Sequence, residues 1–228
     1  HGGGQDLIFP HHENEIAQSR CSHGTKSMAR TWMHNGYLMV EGEKMSKSLG
    51  NFYTVNDLLK EFPGEAIRLT LLSTHYRKPL DFTKVGIAEA KHKLDGWYRL
   101  IDGAHSDDAN ASDAVLKALH DELNTPLAIS EMDQLASAAR AGDGAAQSGL
   151  LAAGRLLGLL QQNPEDWLKG RSGSEDGLDE TAIENLIAQR VEARLGKDFA
   201  ESDRIRDELA GQGIVLEDGP GGTTWRRE

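Results

Sequence analysis

The amino-acid sequence predicts a mainly α-helical protein with an α/β start and a small α+β tail carrying a β-hairpin. Three observations lead there: short apolar runs broken by Gly and Pro at the beginning, helix-period apolar patterns from Val55 onward, and two short runs around a Gly/Pro turn at the end. Leu7–Phe9 is predicted as a short strand stopped by Pro10, and His11–Gln18 as a helix with Pro10 at its entry. Tyr37–Val40 is a second apolar run, followed by Glu41-Gly42-Glu43 as a turn. Helices are expected at Val55–Glu61, Glu65–Ser73 and Val85–Ile101. Thr125 reads as an N-cap with Pro126 at the first helical position, and Ala145–Gln162 as a buried bundle helix. Thr181 with Glu184 offers a capping box to a helix in which Ile183, Leu186, Ile187, Val191 and Leu195 share a face. Glu201–Ala210 is a last helix, closed by Gly211, and Ile214–Leu216 with Thr223–Arg226 form the hairpin. Ser106–Ser112 and Gly170–Gly177 read as linkers.

Composition narrows the function. Among 228 residues, 36 acidic side chains outweigh 25 basic ones, for a net charge of −11. With 38% hydrophobic and 27% charged residues and a mean hydropathy of −0.52, the chain has globular composition. No apolar run approaches the roughly 18 residues of a membrane span, so no membrane partner is expected. A single cysteine, Cys21, excludes an internal disulfide framework and a complete CxxC zinc cage, and fits a reducing cytosol. The acidic balance argues against indiscriminate coating of nucleic acid. Charge is nevertheless blocked: Lys44–Lys93 holds nine Lys/Arg against five Asp/Glu, and Asp102–Asp143 holds two against nine. The first block is placed to meet an anion and the second reads as a solvated helical surface.

Three motifs carry chemistry. Gly2-Gly3-Gly4 with Asp6 is either a plain tight turn or a backbone that lies flat against a nucleotide, with the acid on ribose hydroxyls. In Pro10-His11-His12-Glu13-Asn14-Glu15, a helix would put His11 and Glu15 on one face. That suits either a surface pair or Zn²⁺, which takes His nitrogen and Glu oxygen at about 2.0–2.2 Å. On the same helical wheel His12 points about 100° away and is the poorer partner. Lys44-Met45-Ser46-Lys47-Ser48-Leu49-Gly50-Asn51 is a cationic, hydroxyl-bearing loop able to hold phosphates, and it is not a Walker loop.

The loop residues Lys44–Ser48 spell KMSKS, and the chain thereby resembles the class I aminoacyl-tRNA synthetases. His1–Ser19, with Trp32-Met33-His34-Asn35-Gly36, Glu122-Leu123-Asn124-Thr125-Pro126-Leu127, Lys197-Asp198-Phe199-Ala200 and Trp225-Arg226, is similar to the cysteinyl-tRNA synthetase family in particular. The resemblance implies a C-terminal half: residues 1–50 as the end of a Rossmann-type catalytic domain, 51–83 as connecting helices against the tRNA stem, 84–172 as a helical bundle, and 178–228 as a small anticodon-binding domain. It implies ATP-dependent ligation of L-cysteine to tRNA(Cys) through a cysteinyl-adenylate, in a cytoplasmic monomer. Lys47, supported by Lys44, would stabilise the departing pyrophosphate together with Mg²⁺. Gly3, Gly4 and Asp6 would serve ATP, and His1 would lie near the bound amino acid. His11 and Glu15 would ligate zinc, which the family completes with two cysteines that this sequence lacks; the chain is therefore expected not to form the adenylate alone. Arg190, Arg194, Trp225, Arg226 and Arg227 are the candidate tRNA contacts. Trp32, Trp97 and Trp167 read as packing rather than as stacking platforms. Two alternatives stay open: a non-catalytic tRNA-binding half-synthetase module, and a ligase that joins cysteine to an amino-sugar, against which the tail from Thr181 to Arg227 counts.

Overall fold

A computed structural model describes residues 1–40, 42–45, 50–104, 112–169, 178–219 and 222–227, without the side chain of Arg227. Both expected linkers lie almost wholly outside the described residues, as does the loop core Ser46–Leu49. The chain divides into two compact units, His1–Gln161 and Gln162–Glu228.

The first unit opens with strand β1 (Gly2–Gly4), paired in parallel with β2 (Met33–Asn35). This corrects the sequence reading, which put the strand at Leu7–Phe9. The glycines find a partner strand, whereas Leu7, Ile8 and Phe9 form turns with exposed side chains, Phe9 being 75% exposed. A 3₁₀ turn (Gln5–Leu7) and an irregular turn (Ile8–His12) lead into α1 (Glu13–His23). The expected run at Tyr37–Val40 is β3 (Leu38–Val40), which turns at Gly42 into β4 (Glu43–Lys44) and pairs in parallel with β5 (Leu80–Asp81).

Helices α2 (Val55–Glu61), α3 (Gly64–Leu72) and α4 (Lys84–Leu100) fall where the periodicity places them, with Thr54 and Thr83 capping α2 and α4. The bundle continues with α5 (Asp113–His120), α6 (Thr125–Arg140) and α7 (Gly144–Leu156). The cap of α6 is Asn124, whose side chain accepts the Leu127 N–H, so Thr125 is already helical. Helix α7 stops short of the expected Gln162 because Gly158 and Leu160 adopt positive φ and the chain folds back. That return is pinned by a buried carboxylate. Glu65 accepts from the Tyr98 hydroxyl (3.0 Å to each oxygen), from Leu160 N (2.8 Å) and from Gln161 N (3.1 Å), and Arg68 Nε donates to the Leu157 carbonyl at 2.6 Å. Ile87, Leu94, Tyr98, Val115, Met132, Leu150 and Leu159 are fully buried in this unit.

The second unit holds α8 (Pro164–Lys169), α9 (Glu180–Leu195), α10 (Phe199–Gly211) and the hairpin β6 (Ile214–Gly219) with β7 (Gly222–Arg227). Asp179 caps α9 by accepting from Ala182 N, in place of the Thr181–Glu184 box. Ile183, Ile205, Leu209 and Ile214 form the core, with Leu178, Leu186, Ile187, Leu216 and Trp225 against it. No described helix is long and apolar enough to cross a membrane.

Candidate active site

The parallel β1–β2 pair and the turns after it gather an imidazole cluster. Glu15, in the first turn of α1, sits between two rings: its Oε2 lies 2.9 Å from His1 Nε2 and its Oε1 lies 3.5 Å from His11 Nε2. His12 is 3% exposed, and its Nδ1 lies 2.9 Å from Nε2 of His34 on β2, so one of those two nitrogens carries the shared proton. The His12 ring packs edge-on against His1 (4.8 Å between centroids), and Trp32 stacks on His34 (6.0 Å, 13°). A Cβ on Gly3 would press on the His12 ring at 3.1 Å, so the glycine makes room for that imidazole. One atom each from His1, His12 and Glu15 lies within 4.8 Å of the others. This nitrogen and oxygen donor set suits zinc.

The structure therefore brings His1, His11 and Glu15 together and adds His12, which the helical wheel set aside. The wheel does not apply to residues 8–12, because Phe9 is extended (φ −135°, ψ 134°) and the regular helix begins only at Glu13. Trp32 packs on these rings, in keeping with its reading as a packing residue, whereas the sequence reading places His34 in a family stretch and assigns it no role at the site. Its i, i+2 spacing from Trp32 at a strand is the signal that could have found it, since such residues share a face.

Beside the cluster, Asp6 in the 3₁₀ turn pairs with Lys44 at the end of β4, 3.0 Å apart. The Lys44 ammonium holds the Asp6 carboxyl below its usual value and also lies 4.3 Å from the centroid of the Tyr37 ring. A hollow of about 530 Å³ is lined by Gln5, Ile8, Trp32, His34, Tyr37 and Arg77. Lys47 lies outside the described residues.

The basic block Lys44–Lys93 is less available than its charge count implies. Lys60, Arg77, Lys84, Lys91 and Lys93 pair with Asp57, Glu122, Glu61, Asp95 and Asp133. In the second unit, Arg190 is 6% exposed and makes a two-pronged pair with Asp218 (2.9 Å twice), which Arg194 joins at 3.2 Å and Thr223 at 2.7 Å. Arg226 pairs with Glu217 at 3.2 Å, and Trp225 packs on the hairpin core under Lys169.

Comparison with known proteins resolves the class. Residues 1–92 match the family described as tRNA synthetases class I (C) catalytic domain, and residues 176–226 match the cysteinyl-tRNA ligase anticodon binding domain. The fold is similar to that of LeuRS from Agrobacterium radiobacter K84, solved as a ternary complex with tRNA and LeuAMS (TM-score 0.52, 20% identity, 68% of this chain and 24% of that one). The fold is thus that of the class I aminoacyl-tRNA synthetases, and residues 1–92, which carry the imidazole cluster, match their catalytic-domain family. Over its full length the chain is 61% identical to a cysteine–tRNA ligase of Rhodospirillum centenum and 57% identical to one of Paramagnetospirillum magneticum. The chain belongs to the cysteine–tRNA ligase family. It spans about half the length of these relatives, 51% of each.

Proposed function

We propose that this chain forms part of an enzyme that ligates L-cysteine to tRNA(Cys) at the expense of ATP, through a cysteinyl-adenylate, in the cytoplasm and as a monomer. The observation that carries the reading is the placement of His1 and His11 on the Glu15 carboxylate beside the Gly2–Gly4 strand and the Asp6–Lys44 pair. Zinc fits Glu15 with the expected donor His11, 3.5 Å away, and equally with His1 and His12, the group the structure gathers; when bound it supplies a Lewis acid that separates a thiolate from a hydroxyl far better than an apolar pocket does. Cys21, exposed on α1, is the sequence's one cysteine and is not part of that cluster.

The chain's own residues do the rest. Glu15 orients the His1 and His11 rings, and His1 is placed to meet the amino acid. The backbone of Gly3 and Gly4 admits the nucleotide closely, and Asp6 accepts from the ribose hydroxyls. Lys44 holds Asp6 ionised before ATP arrives and is exchanged onto phosphate as Asp6 turns to the ribose. Lys47, on the same loop, would stabilise the charge that develops on the pyrophosphate, with Mg²⁺ sharing it. Residues 51–83 would meet the acceptor stem, 84–172 would form the bundle and 178–228 would bind the anticodon. There Arg194, Arg226 and Arg227 are the phosphate contacts, Trp225 supports them from the core, and Arg190 acts through the hairpin that it holds. The match at 176–226 supports a tRNA over an amino-sugar as acceptor. Cysteine-dependent ATP–pyrophosphate exchange by the full-length protein carrying this chain tests the reading. Exchange supported equally by serine, or absent with cysteine, would sink it.

A further inference from the structure

The segment Glu122–Leu127 has no part in the chemistry above, yet it forms a strained corner between α5 and α6. Glu122 and Leu123 are successive non-glycine residues at φ 56° and 54°, where side chains with a Cβ are rare. The Glu122 carboxylate holds the corner: its Oε2 lies 3.2 Å from Arg77 Nη2 and accepts from the Tyr76 hydroxyl at 3.3 Å. Arg77 Nε donates to the same hydroxyl at 3.1 Å, and His75 stacks on Tyr76 with 4.9 Å between ring centroids.

The backbone of residues 76–80, to which Tyr76 and Arg77 belong, is tied to different partners. Gln5 Nε2 donates to the Arg77 carbonyl at 3.0 Å, Gly36 N to the Tyr76 carbonyl at 2.7 Å, and Leu80 N to the Tyr37 carbonyl at 2.9 Å. A Cβ on Gly36 would collide with the Lys78 carbonyl, so residues 76–80 lie hard against the β2–β3 connection. Gln5 immediately precedes Asp6, which pairs with Lys44. A continuous polar path thus runs from Glu122 through Arg77 to Gln5 and the Asp6–Lys44 pair.

We propose that Arg77 is a positioning residue: through its side chain it takes the placement of the α5–α6 corner, and through its carbonyl it imposes that placement on the Gln5–Asp6 turn. What the turn then serves, the nucleotide, rests on the function proposed above. The guanidinium fork suits the task because two of its nitrogens engage different partners, which an ammonium point charge does not reproduce. The Arg77–Glu122 pair is half-exposed on both sides. Such a pair adds little to global stability, so it can be broken without unfolding the unit.

Two measurements test this. In the 228-residue chain, Glu122→Gln and Arg77→Lys are compared with the wild type by amide hydrogen exchange. The Ile8 amide, bonded to the Gln5 carbonyl, is the reporter. Its exchange is expected to speed by about threefold, the scale of one half-exposed pair, while α7 is unaffected. No change at Ile8, or an equal rise in both places, overturns the proposal. In the full-length protein, Glu122→Gln and Gln5→Ala are each expected to raise KM for ATP about threefold with a smaller change in kcat. Because they lie on one path, the double variant is expected to be no worse than the worse single, and multiplication of the two effects overturns the proposal. If the wild type shows no cysteine-dependent exchange of ATP with pyrophosphate, the proposed function fails, and the hydrogen-exchange comparison still decides the role of Arg77.

Discussion

Removing the Glu65 carboxylate should weaken the first unit more than any exposed ion pair in it does. Its two oxygens satisfy the hydroxyl of fully buried Tyr98 and the backbone N–H groups of Leu160 and Gln161. Hydrogen bonds to a charged group are worth about 1.5–3 kcal/mol each, and an orphaned buried donor costs about 1–3 kcal/mol. Glu65→Ala strands three donors where water has little access, for an expected loss of about 3–5 kcal/mol. Glu65→Gln keeps one oxygen but turns an NH₂ toward an N–H, for about 2–3 kcal/mol. Tyr98→Phe removes one donor and leaves the carboxylate its two backbone partners, for about 1–2 kcal/mol. Calorimetry on the chain measures this, because two compact units can melt separately. For a unit of this size each kcal/mol moves Tm by about 2–4 °C, so Glu65→Ala should lower the first unit's transition by roughly 10 °C and leave the second in place. A Tyr98→Phe loss larger than that of Glu65→Ala, or a Glu65→Gln variant as stable as wild type, would refute the assignment of Glu65 as the acceptor that closes this turn.

Three further outcomes are expected. Asp218→Asn should destabilise the second unit by about 1–2 kcal/mol at pH 7, a value limited by solvent screening of the half-exposed carboxylate. Arg190, with Thr223 in support, holds the Asp218 carboxyl well below its ordinary range, so its contribution is present above about pH 4 and lost as pH falls through the folded value. Melting curves of the two proteins should therefore converge in acid, and a gap that persists would contradict the linkage. Gly36→Ala should cost at least about 1–3 kcal/mol, because the added methyl meets backbone rather than a movable side chain; a thermal melt within 1 °C of wild type would exclude that contact. Lys44→Ala should let the Asp6 carboxyl return toward its ordinary value, visible by NMR titration of the carboxyl carbon, whereas an unmoved titration would place the cause elsewhere.

Legibility in the sequence followed how local each determinant is. Helices α2, α3 and α4 were readable because their apolar period lies within each segment. Strands β1, β2, β4 and β5 were not, since runs of two or three residues become strands only by finding distant partners: Gly2–Gly4 pairs with residues about thirty positions on, and Leu80–Asp81 with Leu38–Met39. The caps of α6 and α9 slipped by one or two residues because Asn124 and Asp179 compete with nearby Thr for the same role. His11 and Glu15 were legible as a pair from motif alone. The buried His12–His34 bond, the Asp6–Lys44 pair and the Glu65 hub depend on segments that meet only in three dimensions.

The pairing of charges also reconciles a net charge of −11 with the proposed anionic substrate and partner. In the basic block, five of the described cations already rest on carboxylates, and Lys44 rests on Asp6. Four of these pairs, those of Lys44, Lys60, Arg77 and Lys84, are exposed or nearly half-exposed on both sides, in the class worth about 0–1 kcal/mol. A phosphate can therefore displace such a carboxylate at little cost. Binding by exchange also keeps each ammonium from being a bare charge that any anion could claim, and the displaced carboxylate is left facing the ligand as an acceptor. Under the proposed function Asp6 would be where that acceptor is useful, since ribose hydroxyls need one. Arg190 behaves in the opposite way: it is buried, its two Nη bonds end on one carboxylate, and its Nε is buried with no hydrogen-bond partner among the described residues. Breaking that pair would strand a desolvated cation. The exposed pairs are accordingly the ones suited to ligand exchange, and the pair made by the buried Arg190 is the one that holds the hairpin.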